Sequence, residues 1–113
     1  MQNENALYKI ALTKIDHVGP ALAKALLQYC GTPEAVFKES PRALRKIPQI
    51  GLRVLTALKD PELFRKAERE LEFISRNGIA ILFYKETSYP WRLLHQADAP
   101  ILLYYKGTAA LNA

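Results

Sequence analysis

A mainly α fold that gives way near residue 78 to a short strand-bearing segment is what the sequence predicts, on three observations. Apolar residues recur at helical spacing between Leu7 and Tyr29 and again between Leu63 and Ile74, the pattern of amphipathic helices. Proline follows Thr32, Ser40 and Asp60, pairing a side chain that caps a helix with a residue suited to its first turn. Beyond Gly78, two short apolar runs at residues 79–84 and 101–105 are bounded by turn residues, as buried strands are.

Leu7, Ile10, Ala11 and Ile15, then Leu22, Ala25, Leu26 and Tyr29, keep the helical period but are interrupted at residues 16–20, so residues 5–30 read as two helices joined by a tight turn. Further helices are expected to open at Pro33, Pro41 and Pro61. The last is the longest, residues 61–77, with Leu63, Phe64, Ala67, Leu71 and Ile74 in one stripe and Asn77 and Gly78 as a left-handed stop. Glu68, Glu70 and Glu72 stand among Arg65, Lys66, Arg69 and Arg76 at helical pairing distances and read as its solvated face.

In the strand-bearing part, residues 88–97, with Trp91, Leu93 and Leu94, are expected to form a short helix, giving a strand, helix, strand unit whose strands lie parallel. Alternation then puts Ile79, Ile81, Phe83, Ile101, Leu103 and Tyr105 on one face and Leu82, Tyr84, Leu102 and Tyr104 on the other. The expected organisation is a helical domain over residues 1–77 and the start of a second domain over residues 78–113. The closing stretch, residues 107–113, supplies no third strand, so a piece of a longer protein is expected. Open strand edges and apolar faces would then drive self-association through residues 79–107.

The strongest motif is an internal repeat. Residues 11–27, ALTKIDHVGPALAKALL, align without a gap on residues 43–59, ALRKIPQIGLRVLTALK, at an offset of 32. The alignment pairs Ala11 with Ala43, Leu12 with Leu44, Lys14 with Lys46, Ile15 with Ile47, Gly19 with Gly51, Ala25 with Ala57 and Leu26 with Leu58, and it matches Val18 with Ile50 and Leu22 with Val54 in shape. Each copy is an apolar helix end, a four-residue turn ending in Gly, and a second apolar helix. This arrangement resembles the tandem helix-hairpin-helix (SAM-like) module found in DNA repair and recombination proteins. The resemblance implies that backbone amides at the turns meet DNA phosphates without reading base sequence. In the first copy these are the amides at Val18 and Gly19, with Lys24 one turn on. In the second they are the amides at Ile50 and Gly51, with Arg53, while Arg45 and Lys46 add charge beside the turn. The family pattern has glycine at both ends of the turn, whereas the earlier position here is His17 in one copy and Gln49 in the other.

Residues 74–107, ISRNGIAILFYKETSYPWRLLHQADAPILLYYKG, extend the resemblance. Gly78, Tyr89, Pro90, Leu93, Leu94, Pro100, Leu102, Tyr105 and Gly107 sit where the second domain of the DNA-processing protein A family (DprA, also called Smf) places an apolar strand, a Tyr-Pro and Leu element, and an apolar run ending in Lys-Gly. With the hairpins ahead of it, the resemblance covers about residues 5–108. It implies a protein of natural transformation that binds incoming single-stranded DNA, protects it and helps load the RecA recombinase, without being an enzyme. It also implies that the two strands begin an extended Rossmann-like sheet, and that the main single-strand pocket and the dimer surface lie downstream of residue 107.

Composition sets the remaining bounds. At 113 residues there is room for one small domain and a fragment of another. Sixteen Lys and Arg against eleven Asp and Glu leave +5, and residues 38–59 carry Lys38, Arg42, Arg45, Lys46, Arg53 and Lys59 against Glu39 alone, an excess equal to that of the whole chain. A polyanionic partner fits this concentration; so does a solvated basic surface. The single Cys30, with His17 and His95, offers no disulfide and no metal-site spacing. Neither G-x-G-x-x-G nor G-x-x-x-x-G-K-[ST] occurs, and His17 and His95 lack nearby partners and read as surface or turn residues. No enzyme, cofactor or metal is therefore expected. Tyr84, Tyr89, Trp91, Tyr104 and Tyr105, near Lys85 and Arg92, have the composition of a base-stacking platform, but their spacing in a turn and in buried strands favours packing. Apolar runs fall well short of the roughly 18 residues of a membrane span and the start is no signal peptide, so a cytoplasmic protein without a membrane partner is expected.

Two functions stay open: a nucleic-acid-handling module, or a protein-interaction module similar in outline to a sterile alpha motif that touches no DNA. They are separated by whether Arg42, Arg45, Lys46 and Arg53 share a face with the two turns.

Overall fold

Three helices start where a capping side chain meets a proline. Thr32 Oγ1 accepts from the Ala35 N–H at 3.2 Å, Ser40 Oγ from the Ala43 N–H at 3.2 Å and Asp60 Oδ1 from the Glu62 N–H at 3.0 Å, each followed by its proline. Such a cap satisfies an amide that the helix leaves without a partner and stabilises it by about 1 kcal/mol. The computed structural model describes residues 2–84, Pro90 and residues 99–105. Among these the order is α1 (Gln2–Thr13), α2 (Pro20–Cys30), α3 (Pro33–Lys38), α4 (Pro41–Leu44), α5 (Leu52–Leu58), α6 (Pro61–Arg76), β1 (Ala80–Phe83) and β2 (Leu102–Tyr105). The fold is mainly helical with a small antiparallel sheet.

α6 ends as its sequence predicts. Asn77 caps it, Gly78 takes φ +62°, and the Ile79 N–H reaches back to the Ile74 carbonyl at 3.0 Å, the long bond of a glycine-terminated helix. Leu63, Ala67 and Ile74 are buried, with Phe64 and Leu71 at the edge of the stripe.

The core runs from α1 (Ile10, Ala11 and Leu12) through Leu26 of α2, Val36 of α3 and Val54 of α5 to the α6 stripe. At about 1.5–3 kcal/mol for each fully buried Leu, Ile or Val, this cluster outweighs the helical propensity of segments as short as α3, α4 and α5. Tyr8, Phe37 and Phe64 add an aromatic trio joining α1, α3 and α6, with ring centroids 5.1–5.9 Å apart.

The strands do not run parallel. β1 and β2 pair antiparallel, with Ala80 opposite Tyr105, Ile81 opposite Tyr104, Leu82 opposite Leu103 and Phe83 opposite Leu102. The Tyr84 N–H extends the ladder to the Ile101 carbonyl at 2.8 Å. The expected grouping of faces changes accordingly, because opposed residues share a face: Ile81 and Phe83 lie with Leu102 and Tyr104, and Leu82 with Leu103. The cause is burial at one end. Phe83, Ile101 and Leu102 all enter the helical core, and only antiparallel pairing brings the end of β1 beside the start of β2 so that one patch of core receives both. Of the strand side chains expected to lie open, Leu82, Phe83, Ile101 and Leu102 are buried, whereas Tyr104 is 47% exposed. The helix expected over residues 88–97, with Trp91, Leu93 and Leu94, lies outside the described residues apart from Pro90, as do Lys85, Tyr89, Arg92 and His95. Among the described residues no helix is long and apolar enough to cross a membrane.

Candidate nucleic-acid interface

The two turns are built alike. In the first, the Lys14 N–H bonds the Ala11 carbonyl at 2.9 Å, Val18 bonds Ile15 at 3.3 Å and Ala23 bonds Gly19 at 3.0 Å. In the second, Lys46 bonds Ala43 at 3.2 Å, Ile50 bonds Ile47 at 3.2 Å and Leu55 bonds Gly51 at 3.1 Å. Every pair is offset by 32, and Gly19 and Gly51 both sit in extended backbone as the residue before a helix. Ile15 and Ile47 anchor the turns in the core.

His17 and Gln49, at the position where the family pattern has glycine, take φ +69° and +74°. The glycine-like backbone is therefore kept by residues that carry a Cβ. The left-handed region is disfavoured for such residues by about 1–2 kcal/mol, with His better tolerated there than most. Tertiary anchoring by Ile15 and Ile47 holds it. Both turns take the same left-handed course at this position.

Their surroundings differ. Beside the first turn, Val18 and Gly19 line a recess of about 160 Å³ together with Leu12, Ala23, Pro100 and Leu102. Lys24 points its Nζ over the Tyr84 ring at 4.9 Å from the centroid. Lys14 Nζ donates to Glu70 at 2.8 Å, and the Tyr104 hydroxyl donates to the other oxygen of the same carboxylate. Partial burial, and then the Glu70 carboxylate, hold the Tyr104 pKa well above the ordinary tyrosine value. Glu70 thus leaves the solvated face assigned to it, whereas Glu62 pairs with Arg65 and Arg69, and Glu72 with Arg76. The start of β2 lies against the first hairpin.

Both turns are open at their tips: His17, Gly19, Gln49 and Gly51 are exposed, and no atom lies within 4 Å of where a Cβ on either glycine would stand; what differs is the surface that borders each. Two open grooves flank α5. One, of about 600 Å³, is lined by Pro41, Arg42, Arg45, Leu52, Leu55, Thr56 and Lys59. The other, of about 580 Å³, holds Arg53, Thr56, Ala57 and Lys59 opposite Asp16 and His17 of the first turn, with Asp60 and Pro61. Among the described residues Arg42, Arg45, Lys46, Arg53 and Lys59 make no ion pair, whereas Lys14, Arg65, Arg69 and Arg76 do.

Of the residues the sequence singles out, Arg45 lines the first groove and Arg53 the second, on either side of α5, with Ile50 and Gly51 in the turn before it. Lys46 is exposed just before that turn but lines neither groove, and Ile50 is buried, leaving its backbone as its contribution. Val18, Gly19 and Lys24 fall on the side that the strand pair occupies. Leu52, Arg42 and Lys59 complete the grooves without having been singled out as contact residues; for Leu52 the signal in the sequence is an apolar residue directly after the turn glycine, where the first copy has Pro20.

Neither the curated proteins nor the solved structures give a match to this chain. Residues 9–60, from the middle of α1 to the cap of α6, match a family model, the SAM-like helix-hairpin-helix tandem, and the span contains both of the turns just described.

Proposed function

We propose that the chain is a nucleic-acid-binding module that holds the phosphate backbone, without reading sequence, through the surface around its second hairpin. The observation that carries this reading is the gathering of five exposed cations without ion-pair partners among the described residues, Arg42, Arg45, Lys46, Arg53 and Lys59, around α5 and the turn before it. Exposed cations left unneutralised beside an open turn favour a polyanion, since each phosphate they meet releases condensed counterions. Asp16 and Asp60 temper the second groove; the first has no carboxylate in its lining.

The finer reading rests on the sequence resemblance at residues 74–107. In it the chain is the amino-terminal part of a cytoplasmic DNA-processing recombination mediator, not an enzyme, whose partners are single-stranded DNA and the RecA recombinase. A second reading, a helical protein-interaction module, is favoured by one observation: the first hairpin shares a recess with residues 100–102 of its own chain, so one of the two hairpins borders protein.

The test is fluorescence anisotropy with a labelled random-sequence oligonucleotide at low salt, comparing the intact chain with the Arg42→Ala, Arg45→Ala, Arg53→Ala, Lys59→Ala variant. Loss of binding with an unchanged helical circular dichroism spectrum supports the nucleic-acid reading. Equal binding by both proteins would move the contact away from the second hairpin, and no binding by either favours the interaction module.

A further inference from the structure

Among the described residues, Leu52 is the most solvent-exposed of the large apolar side chains that lie on the surface, at 78%. It follows the turn glycine of the second hairpin and lines the first groove together with the apolar Pro41 and Leu55 and the cationic Arg42, Arg45 and Lys59. An isolated exposed leucine needs no explanation. One that lines a groove with three cations that make no ion pair among the described residues suits a ligand with an apolar face and negative charge close beside it.

We infer that this groove is a subsite for one unpaired nucleotide, with Leu52 against the face of the base and Arg42, Arg45 and Lys59 on the flanking phosphates. It rests on the nucleic-acid reading above and adds the place and the contact residue. In a duplex the faces of the bases are stacked on one another and closed to a side chain; in a single strand they are open, and proteins meet them with apolar or aromatic groups and with guanidinium planes. A second copy of this chain fits poorly, because a symmetric contact would set the same cations against each other. The cations also continue beyond the groove, to Lys46 before the turn and Arg53 in the neighbouring groove. That suits a polymer with a charge on every unit better than one acidic side chain.

The experiment uses the intact chain and its Leu52→Ser variant with three probes: an oligo-dT strand and a duplex, each of about 20 nucleotides per strand, and poly-glutamate. The expected result is that Leu52→Ser weakens binding to the single strand on the order of fivefold, the low end for a stacking contact because the side chain is aliphatic, and leaves duplex binding and the thermal midpoint unchanged. Equal weakening for single strand and duplex, or no weakening for either, would overturn the subsite while leaving backbone binding intact. Poly-glutamate binding that depends on Leu52 when single-strand binding does not would also overturn it, in favour of an acidic peptide. Failure of the unsubstituted chain to bind either nucleic acid would remove both the subsite and the reading beneath it.

Discussion

His17 and Gln49, 32 residues apart in sequence, hold the same left-handed backbone, φ +69° and +74°, at the same point of two equivalent turns. Each carries a Cβ where the conformation suits glycine. Replacing either by glycine relieves that strain but loosens the unfolded chain, two effects of opposite sign. The net expectation is stabilisation by about 0.5–1 kcal/mol for Gln49→Gly and less for His17→Gly, since His visits this region more readily. Chemical denaturation of each variant and of the pair checks it; destabilisation by either would mean that the side chain, not the backbone, holds the turn.

The three caps give a second expectation. Thr32→Ala, Ser40→Ala and Asp60→Ala should each cost about 1 kcal/mol in unfolding free energy. Asp60 also lines the groove of Arg53 and Lys59, so Asp60→Ala alone of the three should tighten nucleic-acid binding while it destabilises the fold. Equal affinities for all three variants would place the bound backbone away from that groove.

These features were legible in the sequence because their chemistry is local. A capping side chain, its proline and the amide it satisfies lie within four residues, and the ungapped repeat carries the matching turn bonds with it. What was not legible depends on long-range contact. Nothing in residues 79–84 or 101–105 states that Phe83 and Leu102 enter the same patch of core, so alternation could group residues within a strand but not across the pair. Glu70 looked like one more member of a solvated charge row, because Lys14 and Tyr104, which claim it, lie far away in the chain. The same holds for the trio of Tyr8, Phe37 and Phe64. The repeat also hid a difference: equal turns have unequal neighbours, and only the arrangement in space shows that Pro100 and Leu102 share a recess with Val18 and Gly19 while the grooves flanking α5 carry the cations.

Tyr104 makes the third expectation one of pH. Partial burial and its bond to Glu70 raise its pKa in the folded state above the ordinary value of 10.0. A group whose pKa is raised by folding lends stability that is fully present below the unfolded value and is lost as the pH climbs toward the folded one. Stability should therefore decline above about pH 10, and Tyr104→Phe, which gives up the bond to Glu70, should lower neutral-pH stability and flatten that decline. Identical alkaline profiles for the two proteins would show that the Tyr104 contact contributes nothing.

Self-association through residues 79–107 has a narrower route than apolar strand faces would offer. Leu82, Phe83, Ile101 and Leu102 are already buried, which leaves, among the described residues, one open edge on each strand. Edge pairing without an apolar face to bury is weak, so light scattering should report mainly monomer at low micromolar concentration. Glu70→Ala, which releases Tyr104 and Lys14, should shift the balance toward larger species. A stable dimer of the unsubstituted chain at that concentration would mean that the edges alone suffice.

The most direct measurement is the salt dependence of binding to a single-stranded oligonucleotide, compared between Arg45→Ala, Arg53→Ala at the second hairpin and Lys24→Ala at the first. Each cation that releases a counterion adds about 0.7 to the slope of log affinity against log salt for a single strand. With the second hairpin as the binding surface, the Arg45→Ala, Arg53→Ala protein should lose about 1.4 from that slope, and Lys24→Ala, whose Nζ sits over Tyr84, should lose nothing. A slope that falls with Lys24 and is indifferent to Arg45 and Arg53 would contradict the assignment and return the contact to the first hairpin.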